Sequence, residues 1–202
     1  MLKRQSGFGF VELMIGLVVL GILYATAMPA FSNLVRNSKI RATAESIQNG
    51  LQLARVEAVR RNALVRFQLT DSMTNSCALA TAGPNWVVSV NAVAGKCGVA
   101  PSHTTDPTDP TNPLIVQSRS GGEGADAATV IDGDVSSLTF NGLGGVTPRP
   151  AAAVEFDVTH ATIGCVADSG VARCLRVIVS PGGQIRMCDP SLSLASDPRG
   201  CS

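Results

Sequence analysis

Charge of either sign is scarce in this chain. Sixteen lysines and arginines oppose fifteen aspartates and glutamates across 202 residues, a formal net charge of +1. That balance gives no global field to draw nucleic acid. Histidine is rarer still: His103 and His160 are the only two. Neither has a nucleophile motif beside it. No C-x-x-C pair occurs, so the cysteines lack zinc-site spacing, and neither histidine completes a ligand set. No phosphate-cradling loop is present either. Gly182-Gly183 and Gly121-Gly122 lack its spacing and read as turns. Asp132 and Asp134 lie in a turn-like segment, read as a turn rather than a catalytic or Ca²⁺ pair. Trp86 reads as core rather than as a ligand platform. These absences argue against an enzyme, a metal centre and a cofactor. No internal repeat is visible.

The most uneven absence lies at the start. From Phe8 to Phe31 the only charged residue is Glu12. Roughly 20 apolar residues in a helix span a bilayer core, so this run is long enough. Lys3 and Arg4 precede it, and a basic flank stays cytoplasmic. The bulk of the chain is therefore expected outside, as a single-pass inner-membrane protein with a periplasmic C-terminal domain. A secretory signal peptide fits poorly, because no small-x-small site closes a short apolar core. A plain anchor leaves Glu12 unexplained. A charge in mid-membrane costs about 2.5–3.5 kcal/mol on insertion scales. The next charged residue, Arg36, is about 36 Å away along a helix at 1.5 Å per residue. Glu12 needs a partner that this segment does not contain.

The stretch Gly7-Phe8-Gly9-Phe10-Val11-Glu12 resembles the type III signal of type IV pilins and pseudopilins, Gly-Phe-Thr-Leu-x-Glu. It matches at Gly7, Phe8 and Glu12 and departs at Gly9 and Phe10. The resemblance implies that a prepilin peptidase cuts between Gly7 and Phe8 and that the new amine of Phe8 is N-methylated. It further implies that Glu12 pairs with that amine on a neighbouring subunit during assembly. Such pairing answers the physical problem, since a buried carboxylate is tolerable when paired.

Pro29, near the end of the apolar run, removes a backbone hydrogen bond and kinks the helix, which is expected to continue or locally melt around it. Ile40, Ala44, Ile47, Leu51, Ala54 and Ala58 follow at spacings of four and three, an apolar stripe on one helix face. Lys39, Arg41, Glu45, Gln48, Asn49 and Arg55 lie opposite. The helix is expected to end around Arg60-Arg61-Asn62, with cations at the negative end of its dipole. Short β-rich runs then recur: Leu64–Leu69, Trp86–Val90, Leu114–Val116, Ser137–Phe140, Val154–Val158, Cys174–Val179 and Gln184–Cys188. Ser180-Pro181-Gly182-Gly183 turns the last two into a hairpin. Asn141 to Gly145 is a turn, Pro101 to Pro113 a loop, and Gly121 to Ala128 is expected to be mobile.

Six cysteines, Cys77, Cys97, Cys165, Cys174, Cys188 and Cys201, all follow the apolar run. An even count in an exported domain reads as disulfides. Proximity suggests 77 with 97, 165 with 174 and 188 with 201, although six cysteines allow 15 connectivities.

Leu53-Ala54-Arg55-Val56-Glu57-Ala58-Val59-Arg60-Arg61-Asn62 resembles the GspH/FimT family of minor pilins and pseudopilins. So do Leu138-Thr139-Phe140-Asn141-Gly142, the run Ser180 to Pro190, and Asp197-Pro198-Arg199-Gly200-Cys201. The implied fold is α+β: a long N-terminal helix packed on an antiparallel β domain with disulfides. The implied parts are a leader at 1–7, a transmembrane or filament-core half-helix at 8–31, an amphipathic half at 32–62 and a periplasmic domain at 63–202. The implied role is a subunit of a type IV pilus or a type II secretion pseudopilus. Its partners would be other such subunits, prepilin peptidase and inner-membrane lipid. An alternative follows from the same resemblance, since some FimT-type members bind DNA through a C-terminal Gly-Arg-x-Arg element. Here that element reads Gly183-Gln184-Ile185-Arg186, so one phosphate-binding charge is missing. Arg173, Arg176, Arg186 and Arg199 are the candidate contacts. Solvated arginines balanced by Asp168, Asp189 and Asp197 are the favoured reading of that surface.

Overall fold

The computed structural model describes residues 9–101, 111–121 and 128–201, excluding the side chains of 26–30. The chain divides into two compact units, Met1–Arg36 and Asn37–Ser202. One helix, α1 (Phe10–Arg61), runs through both. The helix continues through position 29. At its end Asn62 takes a left-handed φ of 49°. The Ala63 amide then donates to the Ala58 carbonyl. Asparagine tolerates this conformation better than most residues, and the closing bond satisfies an otherwise orphaned carbonyl.

Within Asn37–Ser202 the apolar stripe of α1 does its expected work. Ile40, Ala44, Ile47, Leu51, Ala54 and Ala58 are all fully buried. They pack on two four-stranded antiparallel sheets. The first has the order β3-β2-β1-β5, from β1 (Val65–Thr70), β2 (Asn85–Ser89), β3 (Ile115–Arg119) and β5 (Ser137–Phe140). The second has the order β4-β6-β7-β8, from β4 (Thr129–Gly133), β6 (Val154–His160), β7 (Leu175–Val179) and β8 (Ile185–Cys188). Phe67 of β1 meets Phe156 of β6 edge-on, with centroids 5.8 Å apart, so one core serves both sheets and the helix. Trp86 joins it and donates from Nε1 to Ser46 Oγ on the helix. Gly50 permits this approach: a Cβ there would lie 2.9 Å from the Phe67 ring.

Strand β4 corrects the turn-like reading of Asp132 and Asp134. Asp132 lies on β4, opposite Asp157 of β6, and Asp134 follows the strand and accepts from the Glu155 amide. The β-branched run Thr129-Val130-Ile131 drives the strand. Gly133, which suggests a turn in sequence, is needed because the Phe156 ring occupies the space of a Cβ.

The outer face of the first sheet is covered as well. The segment after β1 folds back, and Val87, Val93, Cys77, Cys97 and Ile115 form a second small core. Bridges join Cys77 to Cys97, Cys165 to Cys174 and Cys188 to Cys201, each a pair close in sequence. Residues 102–110 and 122–127 lie outside the described residues, and so do most of the expected loop at 101–113 and most of the expected mobile segment at 121–128.

Candidate functional site

Two surfaces carry the residues singled out in sequence: the start of α1 and the C-terminal hairpin. Gly7 and Phe8 lie outside the described residues. From Gly9 onward the geometry is plain. The amides of Glu12 and Leu13 both donate to the Gly9 carbonyl, which opens the helix. Glu12 thus sits in the first turn, where the positive end of the helix dipole favours a carboxylate. Among the described residues no side chain pairs with it. Every large apolar residue from Phe10 to Tyr24 is at least half exposed: Phe10 75%, Val11 69%, Leu17 62%, Leu20 66%, Leu23 62% and Tyr24 63% are examples. These residues surround the helix on all sides. A helix apolar all round is one that lies buried in lipid or among other helices. Among the described residues no helix is long and apolar enough to cross a membrane.

The hairpin arginines lie near one another on or beside β7 and β8, but each is already engaged. Arg176 on β7 faces Asp157 on β6 and makes a bidentate pair at 2.7 and 2.9 Å. Its third nitrogen lies 2.5 Å from Glu155. The Asp157 hydrogen bond is the main cause that raises the Arg176 pKa above the ordinary arginine value. Arg186 on β8 donates to the carbonyls of Gly200 and Cys201 at 3.2 and 2.8 Å. It clamps the C-terminal segment that the Cys188–Cys201 bridge closes. Arg199 pairs with Asp197 at 2.7 Å and holds that exposed carboxyl at about 2. Arg173 is 59% exposed and lies 3.8 Å from Asp189. Gln184, in the position of the missing arginine, is exposed and offers no charge.

A fold-level contact that sequence reading missed joins Arg173 to the helix. Its backbone amide donates to Asn37 Oδ1 at 3.0 Å, across 136 residues. Nothing in the local pattern of either residue signals the pair. Also unforeseen is Leu143, 92% exposed at the tip of the Asn141–Gly145 turn. Asn141 Oδ1 accepts from the Leu143 and Gly145 amides, and Arg55 donates to the Gly144 carbonyl, so the tip is firmly held. Among the described residues no cluster of three or more His, Cys, Asp or Glu could hold a metal ion.

Comparison with known proteins bears on both surfaces. The family model described as Type II transport protein GspH matches residues 43–183. The Prokaryotic N-terminal methylation motif matches residues 2–28. Among solved structures the chain is similar to the type IV minor pilin FimU of Pseudomonas aeruginosa in two crystal forms. In the first the identity is 19%, over 81% of this chain and 95% of that one, with a TM-score of 0.50. In the second it is 16%, over 80% and 99%, with a TM-score of 0.47. At these identities the first likeness speaks for the fold alone. No curated protein matches the chain.

Proposed function

The chain belongs to the GspH family of type II transport proteins, a family of structural subunits of the minor pilin and pseudopilin type, and from that membership we propose how it works. It is stored in the inner membrane by its apolar helix, cut by prepilin peptidase between Gly7 and Phe8, and methylated on Phe8. It then enters a type IV filament, of a pilus or of a secretion pseudopilus, by docking Glu12 on the Phe8 amine of a neighbour. The observation that carries this reading is the bare apolar helix with a single carboxylate in its first turn. Twelve large apolar side chains from Phe10 to Tyr24 stand exposed. They need lipid before assembly and helix neighbours after it. Glu12 needs a cation in either setting, because an uncompensated charge in an apolar medium is costly.

The test is mass spectrometry of the mature chain together with filament incorporation. A mature start at Phe8 carrying one added methyl group is expected. A start anywhere else overturns the assignment of the cleavage site.

DNA uptake is the weaker reading. Phosphate binding needs several cations free to meet the backbone together. Arg176 and Arg199 are neutralised by carboxylates, and Arg186 is committed to the C-terminal carbonyls.

A further inference from the structure

Resting on the filament reading above, we infer that copies of this chain meet head to tail. Leu143 and Arg55 of one copy dock on the outer face of strand β4 of the next, with Arg55 pairing to Asp132.

Asp132 is a carboxylate at odds with its place. Its neighbours Ile131 and Gly133 are buried against the core, so Asp132 faces out, and it is exposed. It stands directly opposite Asp157 of β6. Like charges opposite one another in a sheet destabilise it. Arg176 answers Asp157 and Glu155, but the Asp132 side chain has no partner among the described residues. On this face Asp132, Asp134, Glu155 and Asp157 outnumber Arg176 and Arg186. Among the described residues no cluster suits a metal ion. A single exposed carboxylate suits a guanidinium from another chain.

Arg55 can supply it. It is exposed, its Nε donates to the Gly144 carbonyl, and its charge meets no carboxylate among the described residues. Beside it stand Leu143, 92% exposed, and Val59, 51% exposed. The turn is pressed on the helix end: a Cβ on Gly142 would collide with Asn62 Oδ1 at 2.3 Å, and one on Gly144 would lie 3.3 Å from Val59 Cγ2. A rigid apolar tip loses little entropy on docking, and the neighbouring charge fixes register. Its complement is an apolar spot beside a carboxylate. Val130 is partly exposed and shares the outer face of β4 with Asp132. Two residues along a strand are about 7 Å apart, within the span of one such contact.

Contacts within Asn37–Ser202 place the two surfaces along it. Asn37 holds the Arg173 amide at one end. Arg176 is level with Asp157 and Asp132 across the sheet. It follows Arg173 by three residues, about 10 Å of extended chain. Arg55 follows Asn37 by 18 residues, about 27 Å of helix. Gly183, past the far end of β7, abuts Gly144, so β7 and the helix run the same length from end to end. The surfaces are therefore offset by roughly 17 Å along the unit. The shared core lies between the helix and the outer face of the second sheet, so Arg55 cannot reach Asp132 of its own chain. Joining unlike surfaces of successive copies is a heterologous contact, which builds an open helical array when the rotation closes no ring.

The experiment uses two differently tagged copies of the full-length chain, expressed together in cells that assemble filaments. One copy carries the photo-crosslinker p-benzoylphenylalanine in place of Leu143. After irradiation of sheared filaments it is captured by its tag, the other tag is read by immunoblotting, and mass spectrometry maps the joined peptide. The expected product links position 143 of one copy to β4 of the other. Arg55→Asp or Asp132→Arg, placed in both copies, should cut its yield by about tenfold or more. The two changes together should restore it, which a merely loosened turn would not allow. If the parent chain is in the filaments but position 143 joins only a different subunit, or another surface of the copy, the inference is overturned and the filament reading stands. A double variant that fails to recover overturns it equally. If the parent chain is absent from filaments, the filament reading fails and the inference falls with it.

Discussion

The two units of this chain spend their apolar residues in opposite ways. In Asn37–Ser202, Ile40, Ile47 and Leu51 are fully buried among two sheets. In Met1–Arg36, Ile15, Leu17 and Leu20 are about 60% exposed. Composition alone does not separate the cases, since both are helical and rich in Ile, Leu and Val. The distribution around the helix separates them. A stripe at spacings of four and three has one partner surface, supplied by the chain itself. A helix apolar on every face has its partners outside the chain. The first unit is built to be completed by its surroundings, and the second is complete.

The contrast predicts that the units break by different readouts. Glu12→Ala should leave the β domain folded with an unchanged thermal midpoint. The neighbour's amine then stays buried without its carboxylate, a loss of the order of 3–5 kcal/mol in assembly. Incorporation into filaments, followed by immunoblotting of sheared filaments, should fall by about two orders of magnitude or more. Normal incorporation would remove the docking role. Phe67→Ala should do the converse. It removes the ring that joins Trp86 and Phe156, and such truncations cost about 3–5 kcal/mol. Chemical unfolding of the domain checks this, and a loss below 1 kcal/mol would deny the shared core.

Breaking a bridge comes next. Replacing Cys77 and Cys97 together by serine unties the small core over the first sheet, and losing a native bridge in a small exported domain costs about 2–5 kcal/mol. Peptide mapping without reduction should meanwhile find no free thiol in the parent chain. Alkylation of any described cysteine in the unreduced protein would contradict the pairing.

A smaller effect concerns the hairpin. The domain beginning at Asn37 should scarcely retard double-stranded DNA at physiological salt, because its arginines are engaged. Gln184→Arg should add about one phosphate contact and steepen the salt slope by about one unit. Tight binding by the parent domain, abolished by Arg186→Gln without loss of stability, would restore the DNA reading.

The smallest effect is electrostatic. Glu57 accepts from Arg60 and Arg61, and the Arg60 hydrogen bond is the main cause that holds its carboxyl below the ordinary 4.5. A lowered folded-state value means that the unfolded chain binds the proton more readily in that window. The contribution is therefore fully present above about 4.5 and is lost as pH falls through the lowered value. Glu57→Gln should lower stability at pH 7 by less than about 1 kcal/mol, flatten the acid limb of the stability curve, and make no difference once pH is below the lowered value. A loss that persists undiminished at the acid end would assign Glu57 another role.

Much of the fold was legible because its signals are local. The helix stripe, the Arg60-Arg61-Asn62 stop and the Ser180–Gly183 turn each rest on residues that are neighbours in sequence. Strand β4 was not legible, since Asp132, Gly133 and Asp134 carry turn chemistry. Only the ring of Phe156, more than twenty residues on, explains the glycine. Among the candidate contacts, Arg176 and Arg186 could be placed on paired strands from the hairpin alone. Their engagement could not, because Asp157 lies on another strand and the Gly200 carbonyl in the C-terminal segment.

By itself the sequence determined the division of labour: an apolar run with one carboxylate, an amphipathic continuation, and a β-rich domain with an even set of cysteines. Those follow from periodicity, charge and composition, which need no knowledge of what touches what. Only the tertiary structure decided which arginines are spent, that the helix and both sheets share one core, and that Asn37 holds the Cys165–Cys174 loop beside the helix. Each is a contact between residues far apart in the chain, set by packing and register. Pair contacts of that range leave no mark on the local pattern of either partner.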